Sequence, residues 1–269
     1  MAFSAASVVE TIQLSPRLRR IVLQIDDPDG LAVKPGGDSA VGVYFGGAAP
    51  DGEGRNYSVR QHNGDRITLD FVLHARGLAT AWARDARPGD RVGLDHARSW
   101  YRPEPDTQWQ LLVTDLSGLP ATARIIDELP HGMPATAIVE VAGREDLDYL
   151  PRHPDVIVTA SIGTGNGVAP SRLGQLVREF TLPAGRGYCW FAGEAAESRA
   201  VRKYFRGRGW ATDQFDITGY WRFDSETWDA KFAAVQSDVI AVYQRALAEG
   251  KGDKVASEEF DEALERAGL

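Results

Sequence analysis

Arg55, Tyr57 and Ser58 stand close together in the stretch "EGRNYSVRQ", residues 53–61, and their types suit one kind of ligand. A planar guanidinium binds a pyrophosphate through paired, charge-assisted hydrogen bonds. Side chains alternate along a strand, so Tyr57 shares a side with Arg55. The tyrosine ring could stack on an isoalloxazine while the arginine holds the phosphates, and Ser58 could offer its hydroxyl or N–H to the ring edge. The trio reads as a flavin site. It also fits a half-buried strand with an exposed arginine.

Four further stretches carry chemistry of the same kind. "VLHARGLATAWA", residues 72–83, has a glycine turn entering a helix, and free N–H groups there suit a phosphate. "SIGTGNGVAPS", residues 161–171, places three glycines between a strand and a helix. It lacks the Gly-Lys-Ser/Thr of a P-loop and the spacing of a dinucleotide fingerprint, so a close backbone approach to a ligand and a purely structural turn both fit it. "WFAGEAAESRAVRKYF", residues 190–205, puts Gly193 and Glu194 at the carboxyl edge of a sheet, where α/β proteins bind ligands. Arg199, Arg202 and Lys203 follow and read first as a solvated helix face. "TGYWR", residues 218–222, ends the sheet with Tyr220 and Trp221, which by themselves read as core.

Other chemistries find little support. The five histidines show no metal-ligand spacing, and the single cysteine, Cys189, rules out an intrachain disulfide or a four-cysteine cluster. No bound metal is expected. A net charge of −8 argues against nucleic acid, though a local basic pocket stays open. No run approaches the ~20 apolar residues of a membrane span, so no membrane insertion is expected. The opening residues lack the pattern of a signal peptide, and the expected location is the cytoplasm.

The elements that must position these residues fall into three parts. Short β-branched runs fill the first ~100 residues: "RRIVLQID", "AVGVYFGG", "RNYSVRQ" and "RITLDFVLH", the last two joined by the Asn63-Gly64 turn. Ile67, Leu69, Phe71 and Leu73 alternate there with Thr68, Asp70, Val72 and His74. Many strands and one short helix predict an antiparallel barrel over residues 1–106. From "WQLLVTD" onward strands and helices alternate, which predicts a parallel-sheet α/β domain over 107–225, with a helix across "APSRLGQLVREF". Residues 226–269 predict a helical extension. In its first helix Trp228, Phe232, Val235, Val239, Val242 and Leu247 make an apolar face, expected to cover the α/β sheet.

Taken in order from about residue 5 to 225, Arg55-x-Tyr57-Ser58-x-Arg60, the "VLH…GLATAWA" turn, "LPATARIIDELP", "GNGVAPSRL", "WFAGE…R…R" and "GYWR" resemble the siderophore-interacting protein family. These are flavin-dependent ferric-siderophore reductases of the ferredoxin–NADP reductase-like superfamily. The resemblance implies FAD in the barrel, held by Arg55, Tyr57 and Ser58, with Val72, His74 and the turn Gly77, Thr80, Ala81 and Trp82 around its phosphates. It puts Asp115 and Ser117 near the adenine, and Gly193, Glu194, Arg199, Tyr220 and Trp221 on the cofactors. It implies NADH or NADPH as donor, a lean toward NADH from the helical tail, and a ferric siderophore as acceptor, with Lys251 and Lys254 among the candidate handles for the chelate. The chain departs from the family in "TDLSGLPA", where an acidic–threonine pair is usual, and in "LDHARSW", where a Gly-Pro element is usual. A general NAD(P)H:flavin or ferredoxin oxidoreductase, and a FAD-containing siderophore binder with little turnover, are the alternatives.

Overall fold

The computed structural model describes residues 3–47, 54–74, 76–223 and 225–269. Glu53 and Ala75, inside two of the stretches above, lie outside the described residues. Two compact units divide the chain, residues 1–220 and 221–269.

In the first unit, β1 (Phe3–Ser15), β2 (Leu18–Ile25), the one-turn helix α1 (Pro28–Leu31), β3 (Ala40–Tyr44), β4 (Gly54–Asn63), β5 (Arg66–Val72), α2 (Leu78–Asp85) and β6 (Arg91–Arg98) come first. The six strands close in the order β1-β2-β5-β4-β3-β6, with β1 pairing back onto β6, so the predicted antiparallel barrel is present. Closure leaves no open edge. Ile67, Leu69 and Phe71 point inward with Val41, Val43, Val59 and Leu94, all fully buried. The β4–β5 hairpin forms where Asn63-Gly64 marks it, but Asn63 pairs with Arg66 and the turn itself is Gly64-Asp65, with Gly64 at φ +61°. The pairing slips one residue between Val59 and Gln61, which sets Arg60 in a bulge. Arg60 then reaches Asp127 at 2.6 Å.

The second half follows as β7 (Trp109–Thr114), α3 (Leu119–Asp127), β8 (Ala135–Val141), β9 (Val156–Ile162), α4 (Leu173–Glu179), β10 (Gly187–Glu194), α5 (Ala195–Gly207) and β11 (Phe215–Trp221). Its parallel sheet has the order β11-β10-β7-β8-β9. Separate apolar clusters cover the two faces. The helix expected across "APSRLGQLVREF" begins only at Leu173. The backbone N–H of Arg172 is taken by the buried Glu140 carboxylate at 2.7 Å, which holds the preceding residues as a loop.

Barrel and sheet are joined by polar ties. Asp38, buried at the end of the barrel, accepts from Ser99 Oγ at 2.6 Å and from the backbone N–H of Tyr101 at 2.9 Å, which pins the "SWYRPEPDTQ" linker. Arg124 of α3 donates to the Val59 carbonyl at 2.9 Å. Arg17 reaches Glu145 at 2.6 Å and Asp146 at 3.2 Å. Tyr149 donates to Asp70, whose carboxylate is also gripped by Arg20.

The second unit is a helical pair, α6 (Ser225–Ala248) and α7 (Gly252–Arg266). Val239 is buried with Ala263, Leu264 and Leu269, and Trp228, Phe232, Val235 and Val242 pack around them. The apolar face of α6 is therefore covered by α7, and Leu247 stays exposed. Removing residues 251–269 would strip that cover, so such a truncation is not a clean probe of the tail lysines.

Candidate functional site

The barrel side of the site is built on β4 and α2. Arg55 lies exposed near the start of β4 and donates to its neighbour's carbonyl at 2.9 Å. Tyr57 pairs across the ladder with Val41 and turns its ring onto Phe71, with centroids 4.1 Å apart at 34°. Burial pushes the Tyr57 hydroxyl well above the usual phenol range, so it keeps its proton. Phe45 and Trp82 complete this aromatic group: Phe45 lies 5.1 Å from Trp82 and 6.3 Å from Tyr57, centroid to centroid. The structure thus brings together Tyr57 and Trp82, two residues the sequence nominates separately. It adds Phe71 of β5 and Phe45 just past the end of β3, whose only signal is their place in apolar runs.

The turn before α2 has the form a phosphate requires. Gly77 is the N-cap, with φ 127° and ψ 146°, a conformation open essentially to glycine. It offers no side-chain cap, and a Cβ there would meet nothing within 4 Å. The N–H groups of the first helical turn therefore have no side-chain cap within the helix. Ala81 is exposed beside them. Thr80 is buried, and its hydroxyl accepts the His74 backbone N–H at 3.2 Å, so it shapes the turn. Arg84 holds the His74 carbonyl at 2.8 Å. His74 is exposed as a residue, yet partial burial of its imidazole lowers the pKa. Exposed guanidinium, uncapped helix start and aromatic group together fit a dinucleotide carrying a flat ring.

Ser58 and Val72 face outward, toward the α/β half. Ser58 Oγ lies 3.5 Å from the Tyr220 hydroxyl. Val72 and Tyr220 pack at the margin of the same apolar cluster. Desolvation first, and then the Asp38 charge, pushes the Tyr220 hydroxyl up to about 12. Tyr220 is a barrel–sheet contact, which fulfils its reading as a packing residue while also placing it beside Ser58.

On the sheet, the carboxyl ends of β7 and β10 lie side by side. Asp115 is buried after β7, and its Oδ1 accepts from the Ser117 N–H at 2.9 Å and the Ser117 hydroxyl at 2.5 Å. This turn occupies the place where the family has an acidic–threonine pair. Gly193 packs against it, since a Cβ there would lie 3.0 Å from Asp115 Oδ2. The Glu194 carboxylate caps α5, accepting from the N–H of Ala196 at 2.6 Å and of Glu197 at 3.2 Å. Arg199 is half-buried on α5. Arg202 departs from the expected solvated face: it is buried and donates to the Ile217 carbonyl at 2.6 Å, tying α5 to β11. Lys203 is exposed. Trp221 ends β11 half-buried.

Glu140, which no motif points to, builds the glycine loop. It is fully buried in β8, and its Oε1 accepts from Thr164 Oγ1 at 2.8 Å as well as from Arg172. Asn166 carries the loop across to β7, donating to the Glu140 carbonyl and accepting the Leu116 N–H at 2.9 Å. Gly165 has φ +61°, and a Cβ there would overlap Glu140 Oε2. Gly165→Ala is expected to cost ~1–2 kcal/mol for the left-handed backbone alone, and more for the displaced carboxylate. Urea unfolding of Gly165→Ala, Glu140→Ala and the double variant should show strongly non-additive losses. Additive losses would mean that loop and carboxylate are independent.

Lys251 and Lys254 belong to the helical pair. Lys251 Nζ is held by Glu259 at 2.7 Å and Glu249 at 2.9 Å, and these bonds raise its pKa. Lys254 is half-buried on α7.

With this geometry in place, comparison with known proteins gives a consistent answer. Residues 48–98 match the model of the siderophore-interacting FAD-binding domain, and residues 107–224 match that of the siderophore-interacting protein. The chain belongs to the siderophore-interacting protein family. The matched part of the barrel is accordingly a FAD-binding domain. An uncharacterized protein of Mycobacterium tuberculosis is 34% identical over 172 residues, 58% of this chain and 59% of that protein. The NADPH-dependent ferric-chelate reductase of Escherichia coli is 27% identical over 158 residues, 58% of this chain and 60% of the enzyme. The solved siderophore-interacting protein of Acinetobacter baumannii superposes with a TM-score of 0.74, covering 89% of this chain and 99% of that one at 23% identity, and so shares the fold. The alignments span about three-fifths of the curated relatives they match. Among the described residues no helix is long and apolar enough to cross a membrane.

Proposed function

We propose that this siderophore-interacting protein is a cytoplasmic reductase that moves electrons from NADH or NADPH, through FAD, to a ferric siderophore, so that iron leaves as Fe(II). The observation that carries this reading is the meeting of two surfaces in one compact unit. The dinucleotide cradle of the barrel, Arg55, Tyr57 and the Gly77 turn, adjoins the Ser58–Tyr220 contact with the α/β half.

Bound there, FAD supplies a relay between a two-electron donor and a one-electron acceptor. Arg55 and the first N–H groups of α2 bind the pyrophosphate. Val72, His74, Thr80 and Ala81 line or shape that turn. Tyr57 and Trp82, backed by Phe45 and Phe71, keep water from the ring. Ser58 orients the ring edge, and Tyr220 stays a neutral neighbour at working pH. Asp115 and Ser117 fix the turn on the adenine side. Gly193, Glu194 and Arg199 shape the end of the sheet for the nicotinamide nucleotide, with Trp221 beyond them. No general acid or nucleophile is required. Lys254 and Lys251 are the handles proposed for the anionic chelate, and Lys251 must leave Glu249 and Glu259 to serve.

The test uses purified full-length protein. It should be yellow, carry FAD in place of FMN, and oxidise NADH or NADPH faster when a ferric siderophore is added, with Fe(II) trapped by a ferrous chelator. Protein that stays colourless after reconstitution with FAD would refute the reading. Bound FAD and siderophore without turnover would leave a siderophore binder. Turnover only with reduced ferredoxin would make ferredoxin the donor.

A further inference from the structure

A group of side chains at the other end of the parallel sheet lies outside this chemistry. His131 sits in the connection from α3 to β8, and His153 and Asp155 sit just before β9. The sequence separates them, yet one donor atom from each lies within 4.8 Å of the others, the only such group of three among the described residues. The two imidazoles are stacked, with centroids 5.4 Å apart at 25°. His153 Nδ1 is 4.0 Å from Asp155 Oδ2.

The backbone holds the group in place. A turn closed by Met133 N–H to the Pro130 carbonyl at 3.1 Å presents His131, and one closed by Val156 N–H to the His153 carbonyl at 3.2 Å presents His153. The turns are tied to each other: Ala135 N–H donates to the Asp155 carbonyl at 2.9 Å, and Gly132 N–H to the Asp155 carboxylate at 2.8 Å. That last bond falls on Oδ2, the oxygen that also lies 4.0 Å from His153 Nδ1, and it orients the carboxylate as partners behind a metal ligand commonly do.

We propose that His131, His153 and Asp155 form a binding site for a divalent transition-metal cation of the Zn2+ class. Two imidazoles and one carboxylate are a donor set such ions favour over Mg2+ or Ca2+. Donors about 2.1 Å from a tetrahedral zinc lie roughly 3.4 Å apart. Closure therefore asks the exposed His131 ring to swing by up to about 1.4 Å, His153 and Asp155 to draw together from 4.0 Å, and the 3.2 Å bond from Asp155 N–H to His153 Nδ1 to be replaced. A fourth position stays open to water. Asp115 and Gly193 mark the carboxyl ends of the strands, whereas this group lies at their amino ends, roughly 20 Å away for a strand of this length. The site clips the starts of β8 and β9 together and takes no part in electron transfer.

Chelator-washed full-length protein, with its FAD, is titrated with Zn2+ by calorimetry and with Co2+ by visible absorption. One equivalent should bind in the micromolar range and raise the Tm. His131→Ala and His153→Ala should each weaken binding by about tenfold or more and abolish the Tm shift, while His62→Ala binds as the parent does. Circular dichroism and FAD content verify that each variant is folded. Absence of saturable uptake, or uptake unchanged in both His131→Ala and His153→Ala, overturns the site.

Discussion

Arg20→Ala is expected to destabilise the protein by about 3–5 kcal/mol, the cost of stranding a buried charge. Asp70 is 3% exposed on the outer face of β5. Arg20 meets it with both arms of its guanidinium, Nε and Nη2 each 2.8 Å from a carboxylate oxygen, and Tyr149 donates from the α/β half. Without the arginine, the carboxylate keeps one neutral donor in a dry place. Urea unfolding should show the loss. The double variant Arg20→Ala, Asp70→Asn should recover much of it, because an amide needs no counter-charge. A loss under ~1 kcal/mol would equate the pair with an exposed salt bridge.

Arg55→Ala is expected to weaken FAD binding by about 10- to 100-fold, since hydrogen bonds to charged groups contribute roughly 1.5–3 kcal/mol. The guanidinium lies exposed at the start of β4, so its loss should leave the fold intact. Gly77→Val attacks the same phosphates from the helix side, because it forces a β-branched residue into φ 127° and so displaces the turn. Fluorescence titration of the apoprotein with FAD measures both. Arg66→Ala is the control, for Arg66 is held by Gln24 at 2.9 Å and has no place in the cradle. Parent-like FAD affinity in Arg55→Ala would reduce Arg55 to a strand residue.

Much of this architecture is legible in the residues because local signals agree with tertiary ones. The inward row Ile67, Leu69 and Phe71 and the strand–helix rhythm after residue 108 each have one physical solution, and the structure adopts it, while the hairpin marked by Asn63-Gly64 turns one residue later, at Gly64-Asp65. β1 does not emerge from the pattern. Its inward positions are Ser4, Ala6 and Val8, too small and too polar to stand out from the outward row. The early start expected for α4 fails where the Glu140 carboxylate of β8 takes the Arg172 N–H, a long-range event without a local mark. The tail helix pattern correctly showed an apolar face, but periodicity says nothing of the partner, which proves to be α7. At the site, the β4 trio and the Gly77 turn announce themselves by composition. Phe45 and Glu140 do not, because one hides in a β-run and the other is a single acid in a hydrophobic strand.

The pairing of β1 with β6 sets the order in which a ribosome can deliver a working molecule. β1 is made before every other strand of the barrel, yet one of its two ladders needs partners from Ser7↔Arg91 to Phe3↔Asp95. At about 5–20 residues per second, the nascent chain waits several seconds with that edge unsealed. The loan of Arg124 to the Val59 carbonyl and of Tyr149 to Asp70 comes later still. A closed barrel, and with it a complete cradle for the cofactor, is thus a late event in synthesis, for the free ladder of β1 stays open until its closing strand arrives.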